Sequence, residues 1–358
     1  MILSKKLDWK TIIAIIIFIF LATAPIYMTM FRINLLGKYM CFAIVAIGLD
    51  MIWGYTGILS LGHGVYFGIG AYCMAMYLKL EAAHGGLPDF MQWSGVEKLP
   101  FFWKPFSNAA FSMTAIAVVP VILAVIIGYL TFVNRIKGVY FSILSQALAM
   151  ILSVLLIGMQ SYTGGSNGLT NFSTIFGRNI NSNLTKFVLF YITLIFLAAI
   201  FILCKFLINR RVGKIFIAIR DGENRARFTG YNPANYKVFV YALSAFIAGI
   251  AGALYVTQVG IISPAEVGVT PSVEMIIWVA IGGKGTLVGP IIGALSINGI
   301  KTIVSENFPD IWSYFIGVVF VVVILWLPGG IISLKDVSTK LKKKLRKKKQ
   351  EQEQPITV

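Results

Sequence analysis

Apolar residues in this chain come in runs of about 20, the length an α-helix needs to cross a bilayer, rather than in the short alternations of soluble strands. Reading the charge-free runs predicts spans at 11–31, 39–56, 61–79, 109–133, 138–158, 187–208, 236–257 and 311–328. Ala22-Thr23-Ala24 resembles a signal-peptide cleavage site, but Pro25 follows and apolar residues continue to Phe31, so the first run reads as an uncleaved span.

Lys and Arg beside the spans set the orientation, because they collect on the cytoplasmic side. The N-terminus with Lys5, Lys6 and Lys10, the Arg135/Lys137 turn, the 209–236 loop and the basic tail all belong inside. Alternating the first seven spans satisfies the first three constraints and puts the 80–108 and 159–186 loops outside. A tail inside requires an even number of crossings, so 258–310 crosses twice, at about 267–282 and 286–304, around a Gly282-Gly283-Lys284-Gly285 break and Gly289-Pro290. The predicted fold is an all-α polytopic membrane protein, a bundle of about ten transmembrane helices. Residues 1–333 form the transmembrane domain, with a cytoplasmic loop at 209–236, and 334–358 form a basic, disordered cytoplasmic tail.

Small residues one turn apart let helix backbones approach closely. Gly64 and Gly68, flanked by Gly62 and Gly70, mark the third span, and Ala245, Gly249 and Ala253 mark the seventh, so both belong inside the bundle.

Composition agrees with lipid as the solvent: 58% of the 358 residues are hydrophobic and only 13% are charged. The net charge of +17 is confined to a few clusters, nine of the cations falling between Lys335 and Lys349, which excludes a nucleic-acid stripe. Cys41, Cys73 and Cys204 are far apart in apolar runs and suggest neither a disulfide framework nor a metal site. Gly282-Gly283-Lys284-Gly285-Thr286 lacks phosphate-loop spacing, since Gly285 rather than Ser or Thr follows Lys284 and Trp278 stands where the earlier Gly belongs. With no nucleophile–base set either, the chain reads as a non-catalytic subunit without a cofactor.

Polar side chains within spans are costly and tend to face the bundle or a water-filled cavity. Asp50, His63, Gln146, Gln258 and Glu274 are therefore the candidate pathway residues. Some also have a plain reading: Asp50 as a partner for a donor such as Trp53, Tyr55 or His63, His63 as a helix cap or anchor, and the interrupted 258–310 stretch that carries Glu274 as no more than a tight helical turn. Between Arg211 and Tyr236 the sequence predicts a short amphipathic charged helix, with Asp221, Glu223, Arg225 and Arg227 polar and Ile217, Ala218, Ala226 and Phe228 able to pack. Gly230 ends it and Pro233 blocks its continuation. Charge combined with a packing face suggests docking to a cytoplasmic partner.

That segment resembles the coupling loop of ABC import permeases, whose pattern is Glu-Ala-Ala-x-x-x-Gly: Ala226 matches the second Ala and Gly230 the Gly, while Asn224 and Arg225 depart from it. Asp50–Gly70, Ile217–Tyr231, Trp278–Gly293, Gly164–Thr170 and Ser244–Val259 each resemble the branched-chain amino acid/urea permease family. Leu87–Met91, Leu99–Trp103 and Asp50 look like the urea-transporter permeases of the UrtC type within it. The resemblance implies a bacterial plasma-membrane importer with both termini cytoplasmic. It also implies a homologous second permease subunit, two cytoplasmic ATPases and an extracytoplasmic solute-binding protein. Asp221, Gly222, Glu223, Asn224, Arg225, Ala226, Arg227 and Gly230 would then form the ATPase-coupling loop.

The resemblance favours urea as the solute. A neutral amide asks for hydrogen-bonding groups without a large fixed charge, whereas a zwitterionic amino acid favours paired opposite charges or helix ends. A branched-chain amino acid permease of the same family is the first alternative. A proton-coupled transporter using Asp50, His63 and Glu274 as a relay is the second.

Overall fold

The computed structural model describes residues 9–308 except Lys137, together with a few isolated positions between 314 and 332. The helices are α1 (Trp9–Tyr27), α2 (Met30–Thr56), α3 (His63–Ala82), α4 (Asp89–Trp93), α5 (Ala109–Val133), α6 (Val139–Gly158), α7 (Gln160–Thr163), α8 (Asn183–Asn209), α9 (Arg211–Phe228), α10 (Pro233–Val259), α11 (Val269–Gly282) and α12 (Val288–Asn307).

Local chemistry places many of the ends. Asn108 accepts from the amides of Ala110 and Phe111 to start α5, and Ser182 accepts from Thr185 to start α8. At α10, Asn232 accepts from the Ala234 amide and Pro233 occupies the first turn, where its missing N–H costs nothing. Gly57 (φ 76°) and Gly260 (φ 77°) close α2 and α10 in the left-handed conformation that glycine adopts most readily.

Among the described residues, seven helices are long and apolar enough to span a membrane: α1, α2, α5, α6, α8, α10 and α12. The chain is therefore a polytopic helical membrane protein. The count of about ten is not established. The helix α3 matches α6 in length but is less apolar, α11 has only 14 residues, and most of the span expected at 311–328, with the whole tail from 334, lies outside the described residues.

Two sequence expectations are corrected. The first span ends at Tyr27, not at Phe31, which already belongs to α2. The fold is also not purely helical. Leu169–Thr170 (β1) pairs antiparallel with Ile261–Ile262 (β4), and Thr174–Ile175 (β2) pairs with Arg178–Asn179 (β3). The β1–β4 pair ties the 164–170 loop to the exit of α10.

The core is built on α2, α3 and α10, the last packing against α2, α3 and α5. Glycine makes this closeness possible. A Cβ on Gly70 would collide with the Gly249 carbonyl, and one on Gly252 with the Phe67 carbonyl, so a side chain at either would wedge α3 from α10. The Gly64/Gly68 pair serves a different contact, facing Val267 and Ser272 at the entry to α11, where the Ser272 hydroxyl accepts from the Gly64 amide at 3.0 Å. Gly249 rests on Ile116 and Pro120 of α5, and Ala253 is buried. In contrast, α5, α6 and α8 carry large exposed apolar side chains such as Ile122, Ile151 and Ile195, a surface suited to lipid or a neighbouring subunit.

Candidate functional site

The helix α9 follows α8 after one residue and lies beside the end of α2. Its backbone leaves helical geometry at Gly222, so it comprises Arg211–Asp221 and Glu223–Phe228. Gly213, Phe216 and Ile219 form its buried stripe, three residues apart, and Ala226 continues it beyond the kink. This corrects the sequence reading. Ala226 packs as expected and Ile217 is half-buried, but Ala218 is exposed and Phe228 is 91% exposed. The expectation put Ile217, Ala218 and Phe228 on the packing face and passed over Phe216 and Ile219, which form it.

Charge fixes the outer part of α9. Glu223 accepts from Lys237 of α10 at 2.8 Å and from Arg227 at 3.3 Å. The Arg220 guanidinium donates to Asp221 at 2.9 Å and holds that carboxyl below the usual carboxylate range. Its Nη1 also donates to the Gly54 carbonyl at 2.8 Å. Asn224 and Arg225 are exposed, the latter donating to the Asp221 carbonyl. Beyond the last turn, Gly230 has φ 89° and no atom that an added Cβ would meet within 4 Å. The glycine thus serves a left-handed turn, and nothing within this chain presses on it. A cleft of about 470 Å³ lies between α9, the end of α2 and the α5–α6 turn, lined by Phe132, Phe141, Arg220, Glu223 and Lys237 among others.

The structure does not gather the five candidate pathway residues. Asp50 is fully buried in α2 and accepts from three consecutive backbone amides, Gly285 at 2.5 Å, Thr286 at 3.2 Å and Leu287 at 3.1 Å. Its donors are therefore the α11–α12 turn, not Trp53, Tyr55 or His63. His63 is buried, with Nδ1 2.9 Å from the Ser60 hydroxyl and Nε2 2.8 Å from that of Ser244. Gln258 donates to Thr193 at 2.9 Å and lines a cleft of about 280 Å³. Glu274 accepts from Lys301 of α12 at 2.8 and 2.9 Å. Gln146 is exposed on α6. Among the described residues no hydrogen bond joins Asp50, His63 and Glu274, so the structure offers no direct relay between them. Nor does any group of three or more His, Cys, Asp or Glu there form a metal site.

Sequence reasoning did not single out Arg220, Gly54, Lys237 or Lys301. The signal was available for the lysines, each an isolated cation within or beside an apolar run with an acidic residue elsewhere in the chain to meet it.

A helical membrane bundle with a charged helix folded against one end defines the class, a polytopic helical membrane protein. The family described as "Branched-chain amino acid transport system / permease component" matches residues 31–324, and the chain belongs to it. It is 24% identical to the high-affinity branched-chain amino acid transport system permease protein LivM of Escherichia coli, over 85% of this chain and 70% of that protein. It is 22% identical to BraD of Pseudomonas aeruginosa, over 83% of this chain and 92% of that protein. It also matches LivH of Salmonella typhimurium at 22%, over the same shares. Both proteins carry the same description as LivM. No solved structure matches the chain.

Proposed function

We infer that this protein is the transmembrane subunit of an ATP-driven importer for branched-chain amino acids. In this reading Asp221–Gly230 meets a partner ATPase, a second permease of the LivH kind completes the membrane unit, and a binding protein delivers the solute outside. The observation that carries it is the placement of α9, which is clamped to α2 by Arg220 and to α10 by Glu223–Lys237 while presenting Asn224, Arg225 and Phe228 outward. A helix anchored on either side of its kink and free on its outer face can move the bundle when something pushes it.

The relatives named above are branched-chain amino acid permeases, which favours that solute over urea. The outer-loop motif that suggested urea has a structural use. Asp89 pairs with Lys79 at 2.7 Å and so pins the 87–91 segment to α3. The test is uptake of labelled leucine and urea by the reconstituted complex in vesicles. ATP-dependent leucine uptake is expected. ATP-dependent urea uptake without leucine would reverse the choice of solute, and uptake driven by a proton gradient without ATP would overturn the importer reading altogether.

A further inference from the structure

At the end of the bundle away from α9, the structure contains a cavity of about 290 Å³ between α2, α11 and α12. Its position follows from helix geometry. Lys38 in its wall is 16 residues before Gly54, the α2 residue tied to Arg220, which is roughly 24 Å along the axis. Lys301 stands 14 residues beyond Leu287 on α12, or roughly 21 Å.

The lining is unusual for a membrane bundle, because it carries both signs of charge on apolar helices. Lys38 and Lys301 line the cavity together with Glu266, Glu274 and, exposed at its edge, Glu306. Glu274 and Lys301 satisfy one another at 2.8 Å. Lys38 is different. It is half-buried, and among the described residues it has no carboxylate within ion-pair reach and no hydrogen-bond acceptor. Its ammonium lies 5.6 Å from the Phe42 ring centre and 5.7 Å from that of Tyr255. Two aromatic faces hold the cation in place without neutralising it. At the other edge of the Tyr255 ring, the hydroxyl donates to Glu266 Oε1 at 3.0 Å. One buried tyrosine thus holds a cation over its face and a carboxylate at its hydroxyl, and both open into the same space.

An uncompensated cation in low-dielectric surroundings attracts an anion, and a carboxylate beside it attracts a cation. A molecule bearing both groups on one carbon would satisfy both at once. A neutral amide would leave both charges unpaired. We propose that this cavity is the outer station for the solute, with Lys38 receiving the α-carboxylate and Glu266 the α-ammonium of a zwitterionic amino acid. The assignment rests on the amino acid reading given above and adds the residues that recognise the solute's head group. The apolar side chain is left to the walls supplied by Leu35 and Phe42.

The test uses the whole transporter in vesicles with saturating binding protein, L-leucine as the probe, and two readouts taken together: leucine uptake and binding-protein-stimulated ATP hydrolysis. The variants are Lys38→Gln and Glu266→Gln, with Lys38→Arg keeping the charge. Each neutral variant should lose about tenfold or more in uptake, as expected for loss of a charge-assisted contact, while hydrolysis stays within about twofold and Lys38→Arg keeps most of the uptake. Wild-type uptake in both neutral variants would overturn the site. Parallel loss of uptake and hydrolysis would overturn it too, since the residues would then be supporting the bundle. If the wild-type complex hydrolyses ATP yet moves no leucine, the amino acid reading itself falls and takes the site with it, an outcome distinct from the other two.

Discussion

Arg220 of α9 donates from Nη1 to the carbonyl oxygen of Gly54 at 2.8 Å, and that hydrogen bond ties the charged helix to the last turn of α2. The same turn is pressed against the α11–α12 connection, because a Cβ on Gly54 would meet Asp50 and the Gly285 amide. Arg220, Gly54, Asp50 and Gly285 therefore form one continuous set of contacts from α9 to the α11–α12 hairpin.

Arg220→Ala should loosen α9 from α2 without unfolding the bundle. The guanidinium is partly exposed, so the lost bond is worth about 1–1.5 kcal/mol, the low end for a charged donor. Binding-protein-stimulated ATP hydrolysis and uptake should fall together, by about tenfold if the contact is made only in the coupled state. Unchanged stimulation would mean that α9 transmits nothing through Arg220.

Asp50 is best tested by comparing two substitutions. Asp50→Leu removes the acceptor for three amides, each costing about 1–3 kcal/mol if left unpaired, less where water reaches Gly285 and Thr286. Asp50→Asn keeps one acceptor oxygen and should be milder. The melting temperature of the purified complex should drop by at least about 3 °C for the leucine variant, with the asparagine variant between it and wild type. Equal melting temperatures with lost uptake would instead place Asp50 in the solute route.

Gly230, at φ 89°, is a backbone test. Gly230→Val should strain the turn by about 1–3 kcal/mol, whereas Gly230→Asn, which tolerates the left-handed region, should cost much less. Stimulated hydrolysis should follow that order, with Gln352→Val in the tail as an unaffected control. Full activity in the valine variant would remove the turn from the coupling mechanism.

Phe228 projects from the end of α9 with 91% of its surface exposed. An aromatic ring left bare beside charged neighbours is the kind of residue that anchors an interface. Phe228→Ser should leave the subunit's own stability within about 0.5 kcal/mol. It should weaken co-purification of the ATPase by about tenfold. Undiminished association would show that the partner seats elsewhere on α9.

The sequence made most helices legible because apolar runs and glycine or proline breaks carry them. The expected 109–133 span coincides with α5, and the break at Gly282–Gly285 coincides with the α11–α12 turn. It misplaced the start of α2 because a charge-free criterion stops at Lys38, whereas two aromatic rings let that cation lie within the helix. Lys237, already within the expected 236–257 span, lies inside α10 and is accommodated by Glu223. The site was less legible for a related reason. A polar residue in a span reveals that it needs a partner but not which one, and the amides that answer Asp50 belong to residues with no polar side-chain signature at Gly285 and Leu287.

The bond between Asp50 and Gly285 spans 235 residues of sequence. At ordinary rates of synthesis, roughly 5–20 residues per second, α2 leaves the ribosome about 10–50 s before the amides that will solvate its carboxylate exist. Over that interval the Asp50 carboxyl must find other donors or stay protonated. The end of the bundle that α9 occupies is thus unfinished until the hairpin emerges, and a chain cut short before it would leave the Asp50 carboxyl in α2 without its three donors, a mark that separates an incomplete subunit from a complete one.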